Sequence, residues 1–159
     1  MAVEYFLKVE GIPGESLDAK HKDEIDVLGF NWGVSREGGT RTRSGGASGK
    51  AVFDELIVLA RTSKASPPLW LACASGKHIK SAVLICRRAG KAPVEFLKIT
   101  LTDVVITSYE IDGTQEEPPV DQVGLAFAKI ETAYSPVDAT GKVLSPVKAV
   151  WDTKKNAKG

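Results

Sequence analysis

Apolar and polar residues alternate with a period of two over most of the chain, the pattern of strands with one buried face. In VEYFLKV (3–9), Val3, Tyr5, Leu7 and Val9 share a face. In DVLGFNWGVS (26–35), Leu28, Phe30, Trp32 and Val34 stand on one side and Gly29, Asn31 and Gly33 on the other. This predicts a packed side and a smooth, polar side free to meet water or a close neighbour. Further strands are predicted in KAVFDELIVLAR (50–61), IKSAVLICRR (79–88), VEFLKITLTDVVITSYEI (94–111), QVGLAFAKIETAY (122–134) and VKAVWDT (147–153). The run 94–111 is too long for one regular strand, so a bulge or kink near Asp103 is expected.

One segment departs from this period. Ser66 followed by Pro67 and Pro68 reads as a helix start with Ser66 as N-cap, and the apolar run Leu69 to Ala74 continues to a stop at Gly76. The predicted fold is therefore mainly β: two antiparallel sheets forming a compact barrel or sandwich, with one short helix at about 66–76 on its side.

Two loops stand out. REGGTRTRSGGASGK (36–50) is rich in glycine, carries three arginines and a lysine, and has no apolar side chain larger than alanine; PVDATGKVLSP (136–146) is bracketed by prolines. A structureless stretch of about 12 to 15 residues is uncommon inside a compact domain and tends to be functional. The first loop is thus the expected contact arm.

Composition narrows the class. At 159 residues, 43% hydrophobic and 26% charged, the chain matches an ordinary globular protein with room for one core, and a single domain over residues 1–159 is expected. A net charge of +1 gives no long-range field for nucleic acid or anionic lipid. The N-terminal run MAVEYFLKVEGIPG carries Glu4, Lys8 and Glu10, so it reads neither as a secretory signal nor as a membrane span, and folding in a cytosol is expected.

Candidate chemistry is sparse. Gly49-Lys50 and Gly76-Lys77 both fail the phosphate-loop pattern, because Ser44 and Leu71 stand where glycine is required and Ala51 and His78 where Ser or Thr is. Cys73, His78 and Cys86 match no common zinc spacing, and His21 is the one further soft ligand. Both cysteines sit in apolar company, where a thiol is inert, and no pair of carboxylates is singled out for acid-base work. No catalytic residue, metal or cofactor is expected, and the chain reads as a non-enzyme. The residues alone leave one binding alternative open, a monomeric small β-barrel that holds single-stranded nucleic acid or a peptide. A small hydrolase with a cysteine nucleophile is the catalytic alternative.

Several phrases belong together in order and spacing: IDVLGFNWGVS (25–35), ASGKH (74–78), EFLKITLTDVVITSY and FAKIETAYSP (127–136). Through them, and over almost its entire length, the sequence resembles the hemolysin-coregulated protein (Hcp) family, the tube subunit of bacterial type VI secretion systems. The resemblance implies a β-barrel that closes into a homo-hexameric ring. Such rings stack into a hollow tube inside a contractile sheath, capped by a VgrG-like spike protein, and the tube carries or chaperones effector proteins. It also implies residence in the bacterial cytoplasm before firing and then secretion without a signal peptide, with no nucleic-acid partner and no membrane insertion. On this basis Gly29, Asn31 and Gly33 are expected to face the lumen. Arg36, Arg41, Arg43 and Lys50 are expected on the loop that contacts neighbouring subunits and the next ring, near acidic groups such as Glu116 and Glu117.

Overall fold

The computed structural model describes residues 2–36 and 50–159. In chain order its elements are β1 (Val3–Val9), β2 (Ile25–Asn31), β3 (Val34–Arg36), β4 (Ala51–Phe53), β5 (Leu56–Arg61), α1 (Ser66–Ser75), β6 (His78–Arg88), β7 (Val94–Asp112), β8 (Val120–Tyr134), β9 (Val147–Asp152) and β10 (Ala157–Lys158).

Among the described residues every strand pairing is antiparallel. The main sheet runs β10-β9-β8-β5-β2-β1-β6-β7, and β7 also pairs with β8, so β5, β2, β1, β6, β7 and β8 close into a six-stranded barrel. β8 closes the barrel by pairing with β5 over Val120 to Leu125 on one edge and with β7 from Val120 to Tyr134 on the other, while its Lys129 to Tyr134 stretch also pairs with β9. Closure removes the open edges that a flat sheet would expose. β3 and β4 form a separate two-stranded ribbon. The predicted class, mainly β with one helix, is what the chain adopts.

The barrel is filled by the inward-facing residues. Leu7, Ile25, Leu56, Val58, Leu84, Leu101, Val104, Ile106, Val123 and Leu125 are all nearly or fully buried. In β7 the buried set switches from odd positions (Ile99, Leu101) to even ones (Val104, Ile106), and Asp103 between them takes φ 54°. The kink expected there is present, and a register shift follows between Ile106 and Ser108.

The run 26–35 differs from its predicted parity. A bulge between Val27 and Gly29, where the register against β5 shifts, turns Leu28 outward to 45% exposure. Ile25 and Val27 lie in the core before it, and Phe30 and Trp32 pack against the core after it. One extra residue on the bulged strand resets the two-residue period. The strand then breaks at Trp32 and Gly33, and Val34, paired with Phe53 and so on the same face of the ribbon, is 52% exposed.

The helix is correctly placed but starts differently. Its N-cap is Ala65 rather than Ser66 and makes no side-chain capping bond. Ser66 instead donates its hydroxyl to the buried carboxylate of Asp121 and accepts from the Ser63 amide at 2.9 Å. Gly76 ends the helix in the left-handed conformation (φ 66°, ψ 30°), which glycine adopts without a Cβ clash, and the Lys77 amide donates to the Ala72 carbonyl at 3.1 Å. Leu69 and Ala72 are buried, and α1 packs chiefly on β7.

Between β1 and β2 the chain forms a strap, residues 10–24, folded back over the outer face of the barrel. It is closed on itself by Gly14 N–H to Asp23 O (2.7 Å), Asp23 N–H to Ser16 O (2.9 Å) and Ser16 N–H to Glu24 O (3.0 Å). The strap explains why Phe6 and Arg87, on the outer side of their strands, are buried.

Candidate assembly surface

The register of β2, β5, β8 and β7 lays two rows of outward residues across the barrel wall. One row is Gly29, Leu59, Gln122 and Glu110; the next is Asn31, Ile57, Gly124 and Ser108. Their neighbours Val58, Val123 and Leu125 point into the core, which fixes the outward direction of these rows. A Cβ at Gly29 would meet nothing within 4 Å, and Asn31 is exposed. Gly124 is different: a Cβ there would lie 2.4 Å from Ser108 Oγ and 3.0 Å from Glu55 Oε2. The wall is therefore low: four of its eight residues are polar, two are glycine, and Leu59, at 41% exposure, and the partly buried Ile57 are its apolar members.

The structure brings Gly29 and Asn31 onto this wall and leaves Gly33 apart from them. Gly33 sits in the break between β2 and β3, where its carbonyl accepts from the Asp54 amide at 3.0 Å and a Cβ would come within 3.1 Å of Asp54 Oδ2. Gln122, Gly124, Ser108 and Glu110 share this wall without any local pattern in the sequence that joins them. Glycine inside the apolar run of β8 was the one available signal, and only the pairing of distant strands gives it meaning.

The second surface is the β3–β4 ribbon. Trp32 and Phe53 lie 6.2 Å apart, Phe53 stacks on Trp151 at 6.0 Å, and Phe53 meets Phe127 edge-on at 6.5 Å. Four aromatic rings thus fasten the ribbon to β8 and β9, each pair adding to the area it buries. The ribbon carries Arg36 at its outgoing end, and Lys50 precedes its return, both exposed. Arg41 and Arg43 lie outside the described residues. Glu116 and Glu117 are exposed on the turn between β7 and β8.

Nothing comparable gathers around the thiols. Cys86 is buried, and burial pushes its pKa up to about 11, so the nucleophilic thiolate is scarce at neutral pH. Cys73 is half-buried against the core, and His78 is exposed at the start of β6. Among the described residues, no three His, Cys, Asp or Glu side chains gather as a metal site, and no helix is long and apolar enough to cross a membrane.

The model of the family described as "Type VI secretion system effector, Hcp" matches residues 6–134. The chain belongs to the Hcp family. Protein hcp1 of Pseudomonas aeruginosa is 38% identical over 159 residues, covering 98% of both chains. The crystal structure of Hcp1 from Salmonella typhimurium is 33% identical, covers the whole of both chains and superposes with a TM-score of 0.80. The structure of a type six secretion system protein, 28% identical over 99% of this chain and all of the other, gives a TM-score of 0.93. The Hcp barrel with its single described helix is thus shared with these relatives, and the type VI secretion assignment covers almost the full chain.

Proposed function

We propose that the whole chain, residues 1–159, is one structural subunit of a type VI secretion inner tube. Six copies close into a ring, rings stack into a hollow tube, and a contractile sheath expels that tube behind a VgrG-like spike. The observation that carries this reading is the full-length similarity to Hcp proteins, together with the low wall across β2, β5, β8 and β7. A subunit that assembles head to tail needs one lateral and one axial pair of surfaces. The low wall suits neither kind of sticky contact, and we assign it to the lumen, with Gly29 and Asn31 on its surface and Gly33 at its rim. Effector proteins then ride against that wall, while the tube itself works as a scaffold and not as an enzyme.

The β3–β4 ribbon is the base of the axial contact arm. Arg36, Arg41, Arg43 and Lys50 meet acidic groups of the next ring, with Glu116 and Glu117 as the partners in this reading. The subunit waits in the bacterial cytoplasm and leaves the cell when the sheath fires. Expression of this chain in a bacterium that has a working type VI apparatus but lacks its own tube subunit tests the assignment. The chain should reach the medium and restore firing. Retention inside cells with intact sheaths would oppose it.

A further inference from the structure

The strap over residues 10–24 is held to the barrel by two cations facing four carboxylates. Arg87 on β6 donates from Nη1 and Nη2 to both oxygens of Asp18 on the strap, at 3.0 and 2.6 Å. It also donates to Glu4 on β1 from Nε and Nη2, at 2.9 and 2.6 Å. This guanidinium stays charged at every relevant pH, so Asp18 is a permanent anchor.

The second anchor is of another kind. His21, 7% exposed, has Nδ1 3.0 Å from Glu24 Oε2 on the strap and Nε2 2.6 Å from Glu95 Oε1 on β7. Its ring stacks on Phe6 of β1 at 4.5 Å, and the Arg87 guanidinium lies 4.8 Å from the same Phe6 ring. A neutral imidazole has one N–H and one bare nitrogen. In either tautomer, a lone pair would therefore point at a carboxylate oxygen. The imidazolium alone donates to both.

We propose that the strap is a proton-operated latch, closed while His21 is an imidazolium bridging Glu24 and Glu95, and loosened at its 19–24 end when that proton leaves. Burial draws the His21 pKa down, and the hydrogen bonds and charges of Glu95 and Glu24 outweigh it, leaving a net rise above 6.5. A raised folded-state pKa means that the stabilisation is complete below about pH 6.5 and is lost as pH rises through the folded value. The charged groups in contact with the imidazole are Glu24 on the strap and Glu95 on β7; next to them lie Asp18 on the strap, whose carboxylate accepts from the His21 amide at 3.2 Å, and Arg87 on β6, over the Phe6 ring and paired with Asp18 and with Glu4 on β1.

Amide hydrogen exchange of the purified full chain between about pH 5 and 9, corrected for base catalysis of exchange, reads the latch directly. The Gly14, Ser16 and Asp23 amides should lose protection as pH rises, by about tenfold for each pKa unit that docking adds to His21. Barrel amides such as Leu101 and Leu125 should not. His21→Gln should abolish this pH dependence. Glu95→Gln, which leaves the strap chemistry intact, should lower the His21 midpoint followed by ring-proton NMR. Strap protection that is flat with pH, that falls together with the barrel, or that keeps its pH dependence in His21→Gln would overturn the proposal, as would an unmoved midpoint in Glu95→Gln.

Discussion

Asp121 shows how single residues hold this fold. It is 1% exposed on β8 and accepts hydrogen bonds from Thr62 Oγ1 (2.8 Å), Tyr109 OH (2.9 Å) and the Ser66 hydroxyl. These three donors tie the end of β5, the start of α1 and β7 to one carboxylate. A buried charge is tolerated when its oxygens are satisfied, and each bond to it is worth more than a neutral one. Tyr109→Phe should therefore lower unfolding stability by about 2 kcal/mol in urea titration. Gly14 presents a steric case. A Cβ there would lie 2.5 Å from the Glu24 carbonyl oxygen and 2.7 Å from Ile25 Cα, both backbone atoms with little room to yield. Gly14→Ala should cost about 1 to 3 kcal/mol and expose the strap amides to exchange while the barrel stays folded. Neither role was readable beforehand. The sequence shows Ser66 before two prolines, the usual sign of a cap, and gives no hint that a carboxylate 55 positions away claims its hydroxyl.

At the level of elements, the strands and the helix were legible because their signals are local. β1 keeps Leu7 and Val9 on its core face although the strap also buries Phe6, α1 ends where Gly76 supplies a left-handed residue, and the overlong apolar run turns at Asp103. What escaped was any feature set by a partner strand. The bulge after Val27, where the register against β5 shifts, turns Leu28 to the side opposite the one its alternation predicts. The ribbon β3–β4 likewise looked like parts of two longer strands. Its attachment rests on Phe53, which touches Trp32, Phe127 and Trp151. Phe53→Ala should cost about 3 kcal/mol by removing that shared ring. In the tube reading it should also slow tube growth, scored by electron microscopy, more than it weakens single rings.

For the whole molecule, the β-barrel class and the Hcp resemblance could be drawn from the sequence, because the phrases that carry them span the chain. The wall could not, since Gly29, Leu59, Gln122 and Glu110 become neighbours only through the pairing of four strands. If this wall lines a channel, a bulky charge on it should act on cargo and not on assembly. Asn31→Arg is expected to leave ring yield unchanged and to reduce co-purification of a lumen-bound effector several-fold; normal loading would remove Asn31 from the lumen.

The tube reading presupposes that six barrels associate into a ring. The most direct test is the mass of the purified protein by light scattering on a size-exclusion column, with negative-stain images of the same peak. The expected result is about six times the 17.0 kDa of one chain, with annular particles that have an open centre. A monomer at every concentration, with no rings in the images, would contradict it.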